Sequence, residues 1–307
     1  MKPAAALTEL MPTLPTAREL FTTLLPQLRI AANYAREIQS RIVAQPEKGT
    51  SDNFFSTALT DADLSVQTFI EVSLLSQFPQ VRFYGEEHAQ SYNTKYFRGI
   101  DLGTEPGDYL ITLDPIDGTR WYMDGTDNYQ IVLTVLDQDD YLGVLIVSPA
   151  TQDYFCTLRG EGCQWGTLSM GLDDLIPVYM DLSEPKVYIS WGMEAIAPHL
   201  PPAYQAVRSR DYTTTNPRPN FSRILRGDLC GAVLRAGKWL DGAALAFSVR
   251  EMGGVVTLHD GSPVPPMSSC EEYQLPGLVV AYRPEVHADL LQAVQASQAA
   301  GDLAEQE

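Results

Sequence analysis

The hexapeptide Asp114-Pro115-Ile116-Asp117-Gly118-Thr119 constrains this chain more than any other feature. The apolar run Tyr109-Leu110-Ile111-Thr112-Leu113 leads into it and predicts a buried strand. The strand then meets a carboxylate, a proline and a second carboxylate. Pro115 has no N–H to give to a sheet ladder, so pairing is expected to stop there. Asp114 and Asp117 are thereby held close together at a strand end, where two like charges raise the energy unless a cation neutralises them. Oxygen ligands of this kind suit Mg²⁺, which binds through a few carboxylates and the phosphate of a substrate. Gly118 lets the backbone approach an anion closely, and Thr119 offers a hydroxyl and an amide N–H. Without its strand, an Asp-x-x-Asp pair reads equally well as an acidic turn.

A chain of 307 residues holds one large α/β domain or two smaller ones. With 45% hydrophobic and 20% charged residues the composition is that of a folded protein. The net charge of −18 argues against nucleic acid or an anionic membrane as partner. It also makes a phosphate substrate awkward unless a cation sits in the site, although an acidic surface by itself implies only solubility. The cysteines, Cys156, Cys163, Cys230 and Cys270, fit neither a zinc site nor a disulfide framework, and reduced thiols in a cytoplasm are expected. Met1 to Thr16 has no continuous apolar core, and no run of about eighteen apolar residues occurs, so neither signal peptide nor membrane span is expected. Asn220-Phe221-Ser222 fits the glycosylation sequon and reads as chance.

Along the chain, residues 1–16 read as a flexible arm, 17–298 as a single domain with subdomains of about 17–160 and 161–298, and 299–307 as a tail. Helical periodicity runs from Thr16 to about Ala44, with Pro26 expected to split it. Residues 46–52 form a loop, and a second helix is expected over Asp61–Gln77, with Leu64, Phe69, Ile70, Val72, Leu74 and Leu75 apolar. Strands are expected at Val81–Tyr84, Tyr129–Leu136, Tyr141–Val147, Tyr154–Leu158, Lys186–Trp191, Val255–Leu258 and Leu278–Tyr282. Helices are expected at Asp241–Glu251 and Pro284–Gln298. Beyond about residue 165 the chain turns Pro-rich and the pattern weakens. Gly160-x-Gly162 is read as a strand turn, since no helix-opening Gly-rich motif accompanies it. Helices and strands alternate without parallel βαβ regularity, which predicts a mixed α/β layered fold.

The hexapeptide behind its buried strand resembles the metal motif of the inositol monophosphatase family. That family is part of a Mg²⁺-dependent, lithium-sensitive phosphatase superfamily that also holds fructose 1,6-bisphosphatases and 3'-phosphoadenosine 5'-phosphate phosphatases. Four further elements are similar. Gly85-Glu86-Glu87 matches the element that supplies a metal-binding glutamate, which implies Glu86 as ligand and Glu87 as secondary. His88 follows where relatives often carry serine and reads as a surface histidine, because hard Mg²⁺ prefers oxygen. Thr60-Asp61-Ala62-Asp63 fits a Thr-x-x-Asp element and implies Asp63 as the partner of the hexapeptide threonine, with Asp61 as a helix cap. Lys48 stands where relatives often place a lysine near the phosphate, and a solvated loop lysine is the plainer reading. Asp241-Gly242-Ala243-Ala244, a fixed distance before Arg250-Glu251-Met252-Gly253-Gly254, resembles the Trp-Asp-x-Ala-Ala element and implies Asp241 as a further metal aspartate. The family tryptophan is replaced by Leu240, and the segment before Asp241 is shorter than in relatives. A carboxylate at a helix start is also favourable for the helix dipole alone.

The resemblance runs from about residue 28 to 282 and is poor between about 165 and 220. It implies an α+β layered sandwich of the inositol monophosphatase and sugar phosphatase kind. It implies a Mg²⁺-dependent phosphomonoesterase acting on a small phosphorylated metabolite such as an inositol or sugar phosphate. Two or three Mg²⁺ ions would be held by Glu86, Asp114, Asp117, Asp241 and the Ile116 carbonyl. Thr119 and Asp63 would orient the attacking water, and the Gly118 and Thr119 amides would grip the phosphate. Neither nucleic acid nor membrane is an expected partner; a homodimer is compatible. The alternatives are a 3'-phosphoadenosine 5'-phosphate phosphatase, whose Thr119-to-Tyr129 spacing this chain matches, and a non-catalytic homologue that binds metal or phosphate.

Overall fold

The structure is a computed structural model and describes residues 14–41, 60–87, 108–180, 184–239, 243–271 and 274–302. The chain opens with α1 (Ala17–Ile38), started by a capping box in which Thr16 and Glu19 satisfy each other's backbone amides. Pro26 lies inside this helix and does not split it. The ring is exposed, so the carbonyl that loses its partner meets water. One buried stripe, Leu20, Leu24, Leu28, Ala31 and Ala35, runs unbroken past it. Leu14 packs on the same core, and the Pro15 carbonyl accepts the Tyr109 hydroxyl, so the chain is tied down just before α1.

Helix α2 (Asp61–Gln77) has the expected bounds. Its buried stripe differs from the expectation: Ile70, Leu74 and Leu75 are buried, whereas Phe69 and Val72 are exposed. The inward face also carries Asp63, Gln67 and Glu71, one turn apart. There follow β1 (Arg82–Gly85), β2 (Leu110–Asp117), the short helix α3 (Thr119–Met123), β3 (Gln130–Leu136), β4 (Tyr141–Ser148), β5 (Asp153–Leu158), β6 (Gly162–Thr167) and β7 (Ile176–Pro177). Among the described residues these strands form a seven-stranded sheet in sequence order, with β1 and β2 parallel and every later pair antiparallel. Gly160 and Gly162 make the β5–β6 turn with positive φ, as the strand-turn reading expects. Sheet I thus runs past the boundary expected near residue 160.

The second half supplies β8 (Lys186–Ile189), β9 (Gln205–Arg208), β10 (Gly231–Leu234), β11 (Gly237–Lys238), α4 (Ala244–Glu251), β12 (Val255–Leu258), β13 (Gln274–Leu275), β14 (Leu278–Ala281) and α5 (Pro284–Ala299). Sheet II has the order β12-β14-β10-β8-β9, and its β10, β8 and β9 run parallel. Three apolar cores stack the layers. One joins α1 and α2 to sheet I. The second fills the gap between the sheets with α4 and the turn Phe221–Arg226. The third seats α5 on the far face of sheet II. The result is a helix–sheet–helix–sheet–helix sandwich, the layered α/β fold that the alternation predicts.

Candidate active site

The hexapeptide departs from a plain strand end. Pairing of β2 with β3 does not stop at Pro115. It slips between Asp114, opposite Val132, and Asp117, opposite Gln130. Three steps along β2 span two along β3, which is a bulge. The extra residue lets Pro115 sit off the ladder, so its missing N–H costs nothing and the strand resumes at Asp117. It also changes which way side chains point. In a regular strand residues three apart face opposite sides of the sheet. Here Ile111, Leu113 and Ile116 all pack into the core under α1 and α2, so Asp114 and Asp117 share the opposite face. A turn motif legible in the sequence therefore becomes two carboxylates on one side of sheet I.

Glu86 joins them through the parallel pairing of β1 and β2. Gly85 stands opposite Leu113, and the Glu86 amide donates to the Leu113 carbonyl at 3.0 Å, which sets Glu86 beside Asp114. A Cβ on Gly85 would come within 2.2 Å of the buried Gln67 side-chain amide, whose Oε1 accepts the Glu87 amide at 2.9 Å, so a larger residue there would displace that contact. Asp63 enters from the first turn of α2 and is fully buried. Its Oδ2 accepts the Thr60 amide at 2.8 Å, and its Oδ1 accepts the Thr119 hydroxyl at 3.2 Å. Thr60 is the cap and Asp63 closes its capping box, so Asp61, exposed at the first helical position, is not the cap. The reason is that Thr60 is extended and its hydroxyl accepts the Ala62 and Asp63 amides. Thr119 also lies 2.9 Å from the Ile116 carbonyl, and the Ile116 amide donates to Asp114 at 3.1 Å. Gly118 turns the chain into α3 at φ +90°, and a Cβ there would meet the Asn128 carbonyl at 2.7 Å.

Electrostatics agree with the crowding. Burial, then the charges of Glu86 and Asp117, a hydrogen bond with Glu86 and the charge of Asp63 push the Asp114 carboxyl well above the usual carboxylate range. Asp117 takes a hydrogen bond from the Gln130 amide. The donors are all oxygen, which fits a hard divalent cation. Among the described residues no group of three or more His, Cys, Asp or Glu side chains is gathered tightly enough to hold an ion as it stands. Asp241, Gly242, Lys48 and His88 lie outside the described residues. The late helix is described from Ala243, with α4 proper starting at Ala244.

Asp117 also lines a cavity of about 350 Å³ between the sheets. The parallel strands β8, β9 and β10 all end there, delivering Ser190 and Trp191, Ser209, and Arg235 respectively. Ligands commonly bind at the carboxyl ends of parallel strands. Burial and then the nearby Asp117 charge push the Tyr188 hydroxyl up, so it stays neutral across the cavity from that carboxylate. Asn220, in the stretch read as a chance sequon, is buried here and donates to the Asn128 carbonyl at 3.1 Å. These wall residues come from the stretch between 165 and 238, where the pattern is weak and only the strand at Lys186–Trp191 is expected; none of them is visible as a site from sequence alone.

Comparison with known proteins agrees with this architecture. The inositol monophosphatase family profile matches residues 18–188, more than half of the chain. The SuhB protein of Neisseria meningitidis serogroup B is 22% identical over 256 residues, covering 80% of this chain and 88% of that protein. An IMPase of Thermotoga maritima superposes with a TM-score of 0.65 at 18% identity, over 90% of this chain and 96% of that one. An IMPase/NADP phosphatase solved with Mg²⁺ and phosphate gives a TM-score of 0.61 at 15% identity, over 88% and 92%. At these identities the structural likeness establishes the fold.

Proposed function

This chain belongs to the inositol monophosphatase family, and from that premise we propose that it is a Mg²⁺-dependent phosphomonoesterase acting on a small phosphate ester. One observation carries the reading: the charges of Glu86, Asp117 and Asp63 converge on Asp114 at the bulged end of β2, Asp63 accepts the Thr119 hydroxyl, and Asp117 opens onto a cavity. Glu86, Asp114, Asp117, Asp241 and the Ile116 carbonyl would hold two or three divalent ions. Bound there, such ions lower the pKa of a coordinated water and stabilise the leaving oxygen. The chain's own residues do the rest. Thr119 directs its proton toward Asp63 or the Ile116 carbonyl, which leaves its oxygen free to accept a hydrogen bond from the attacking water. Asp63, held by Thr60, fixes that orientation. The amides that open α3 have no partner inside the helix and suit the phosphate oxygens, with Gly118 and Thr119 the residues that grip it. The substrate is a small phosphorylated metabolite, and lithium is expected to inhibit. Phosphate release from a panel of esters in Mg²⁺, with and without chelator, tests this. Release undiminished by excess EDTA would overturn the metal requirement; binding of metal and phosphate with no release from any ester would make the chain a non-catalytic homologue.

A further inference from the structure

The cavity beside the carboxylates has room for more than a phosphoryl group. Its volume falls in the range of pockets that enclose small organic ligands. Asp117 is the one acid among the described residues that line it, although acids outnumber bases 39 to 21 in the chain. Trp121, Tyr188, Trp191 and Phe221 give it aromatic surface, and two cations join them, Arg235 from the β10–β11 turn and Lys238 from β11.

Several arginines near the sheets already hold a carboxylate. Arg226 is paired with Asp153, Arg223 with Asp228, Arg250 with Asp140 and Arg208 with Asp211. Among the described residues no carboxylate lies within ion-pair distance of Arg235. Glu194, which follows the end of β8, accepts the Gly192 amide. Arg235 is nonetheless held in place. Its amide donates to Ser190 at 2.7 Å, and its side chain lies across Gly192, at φ +85°. A Cβ on Gly192 would stand 3.3 Å from Arg235 Cδ and 3.4 Å from Nη1. A guanidinium steadied in this way loses little freedom on binding, and its planar fork matches a phosphate or carboxylate.

We propose that Arg235 is a specificity residue: with Lys238 on the same wall, it binds a second anionic group of the substrate, separate from the phosphate that is cleaved. The preferred ester then carries two anionic groups joined by a moiety that packs on the aromatic wall. The inference rests on the phosphatase reading for the word substrate, and on the cavity for the binding.

The test compares ligand pairs that differ by one phosphate: adenosine 3'-monophosphate with 3'-phosphoadenosine 5'-phosphate, and fructose 1-phosphate with fructose 1,6-bisphosphate. Both kcat/KM and calorimetric affinity in Mg²⁺ are measured. The parent should favour the bisphosphate at least tenfold in one pair. Arg235→Gln should shrink that ratio by about 10- to 100-fold, the scale of a charged hydrogen bond, and Arg235→Lys should keep part of it. Lys186→Gln, which removes a cation paired with Glu184 away from the cavity, controls for net charge and should leave the ratio intact. A parent without preference in either pair, or an Arg235→Gln loss equal for both members of a pair, would overturn the proposal. An Arg235-dependent affinity preference with no phosphate released would instead overturn the hydrolase reading alone.

Discussion

At the scale of single residues, the site depends on carboxylates whose charge the fold concentrates. Asp117→Asn keeps the shape and removes a charge. Turnover should fall by orders of magnitude while the melting temperature in chelator holds or rises, because repulsion with Asp114 is relieved. Parent-like turnover in purified Asp117→Asn would remove Asp117 from the metal set. Asp241 is tested against a nearby control. Asp241→Asn should lose activity as Asp117→Asn does, whereas Asp228→Asn disturbs only a half-exposed pair with Arg223 and should keep it. The reverse pattern would mean that another carboxylate serves the late helix. Gly118→Ala forces a Cβ into the left-handed region and against the Asn128 carbonyl, so it should cost about 1–3 kcal/mol in a denaturant melt. It should also cut kcat, since the turn aims the amides that follow.

At the scale of elements, β5 is locked to the Phe221–Arg226 turn that walls the cavity. Arg226 grips both Asp153 oxygens at 2.7 and 2.8 Å, while Thr151 and Trp165 donate to the same carboxylate. Burial raises the Asp153 carboxyl, but these bonds outweigh it and hold the group below the usual range. A carboxyl whose folded pKa lies below its unfolded one contributes stability above the unfolded value and loses it as pH falls through the folded one. Thermal melts should therefore drop through the acid side of about pH 4, the ordinary range of an aspartate. Asp153→Ala leaves a largely buried guanidinium without its partner and should cost about 3 kcal/mol at neutral pH. A loss under about 0.5 kcal/mol would show a pair no stronger than a surface one.

At the scale of the molecule, the proposed active site is a joint. Asp114 and Asp117 come from sheet I, Asp63 from the outer helix layer, and the cavity wall from the carboxyl ends of sheet II. A cation that binds only when these layers are assembled stabilises the whole fold by mass action. Mg²⁺ at a hundredfold over its dissociation constant should add about 2.7 kcal/mol, a shift of a few degrees in melting temperature for a chain of this size. EDTA should remove that gain together with phosphate release, and lithium should inhibit without unfolding the chain. An unchanged melting temperature across a Mg²⁺ titration would count against a bound ion. Among the described residues no helix is long and apolar enough to cross a membrane.

The sequence by itself determined the local elements and the chemical types at the site. Short apolar runs bounded by turn residues located β3, β4, β5 and β14 within a residue or two, because these strands are buried on both faces, and helical periodicity with its end signals located α2 and α5. The Asp-Pro-Ile-Asp-Gly-Thr run announced paired carboxylates because those residue types in that order have few other uses. Tertiary structure decided the rest. Pairing with β3 inserted the bulge that turned Asp114 and Asp117 to one face, and a bulge depends on a partner strand that local pattern does not specify. Packing decided that Pro26 could stay inside α1, since the stripe on either side of it buries against the same sheet. Packing also set Asn220, Tyr188 and Arg235 around one cavity from segments with no shared period. Residues that converge through long-range contacts leave no spacing in the chain, so the layering of two sheets was needed to bring them together.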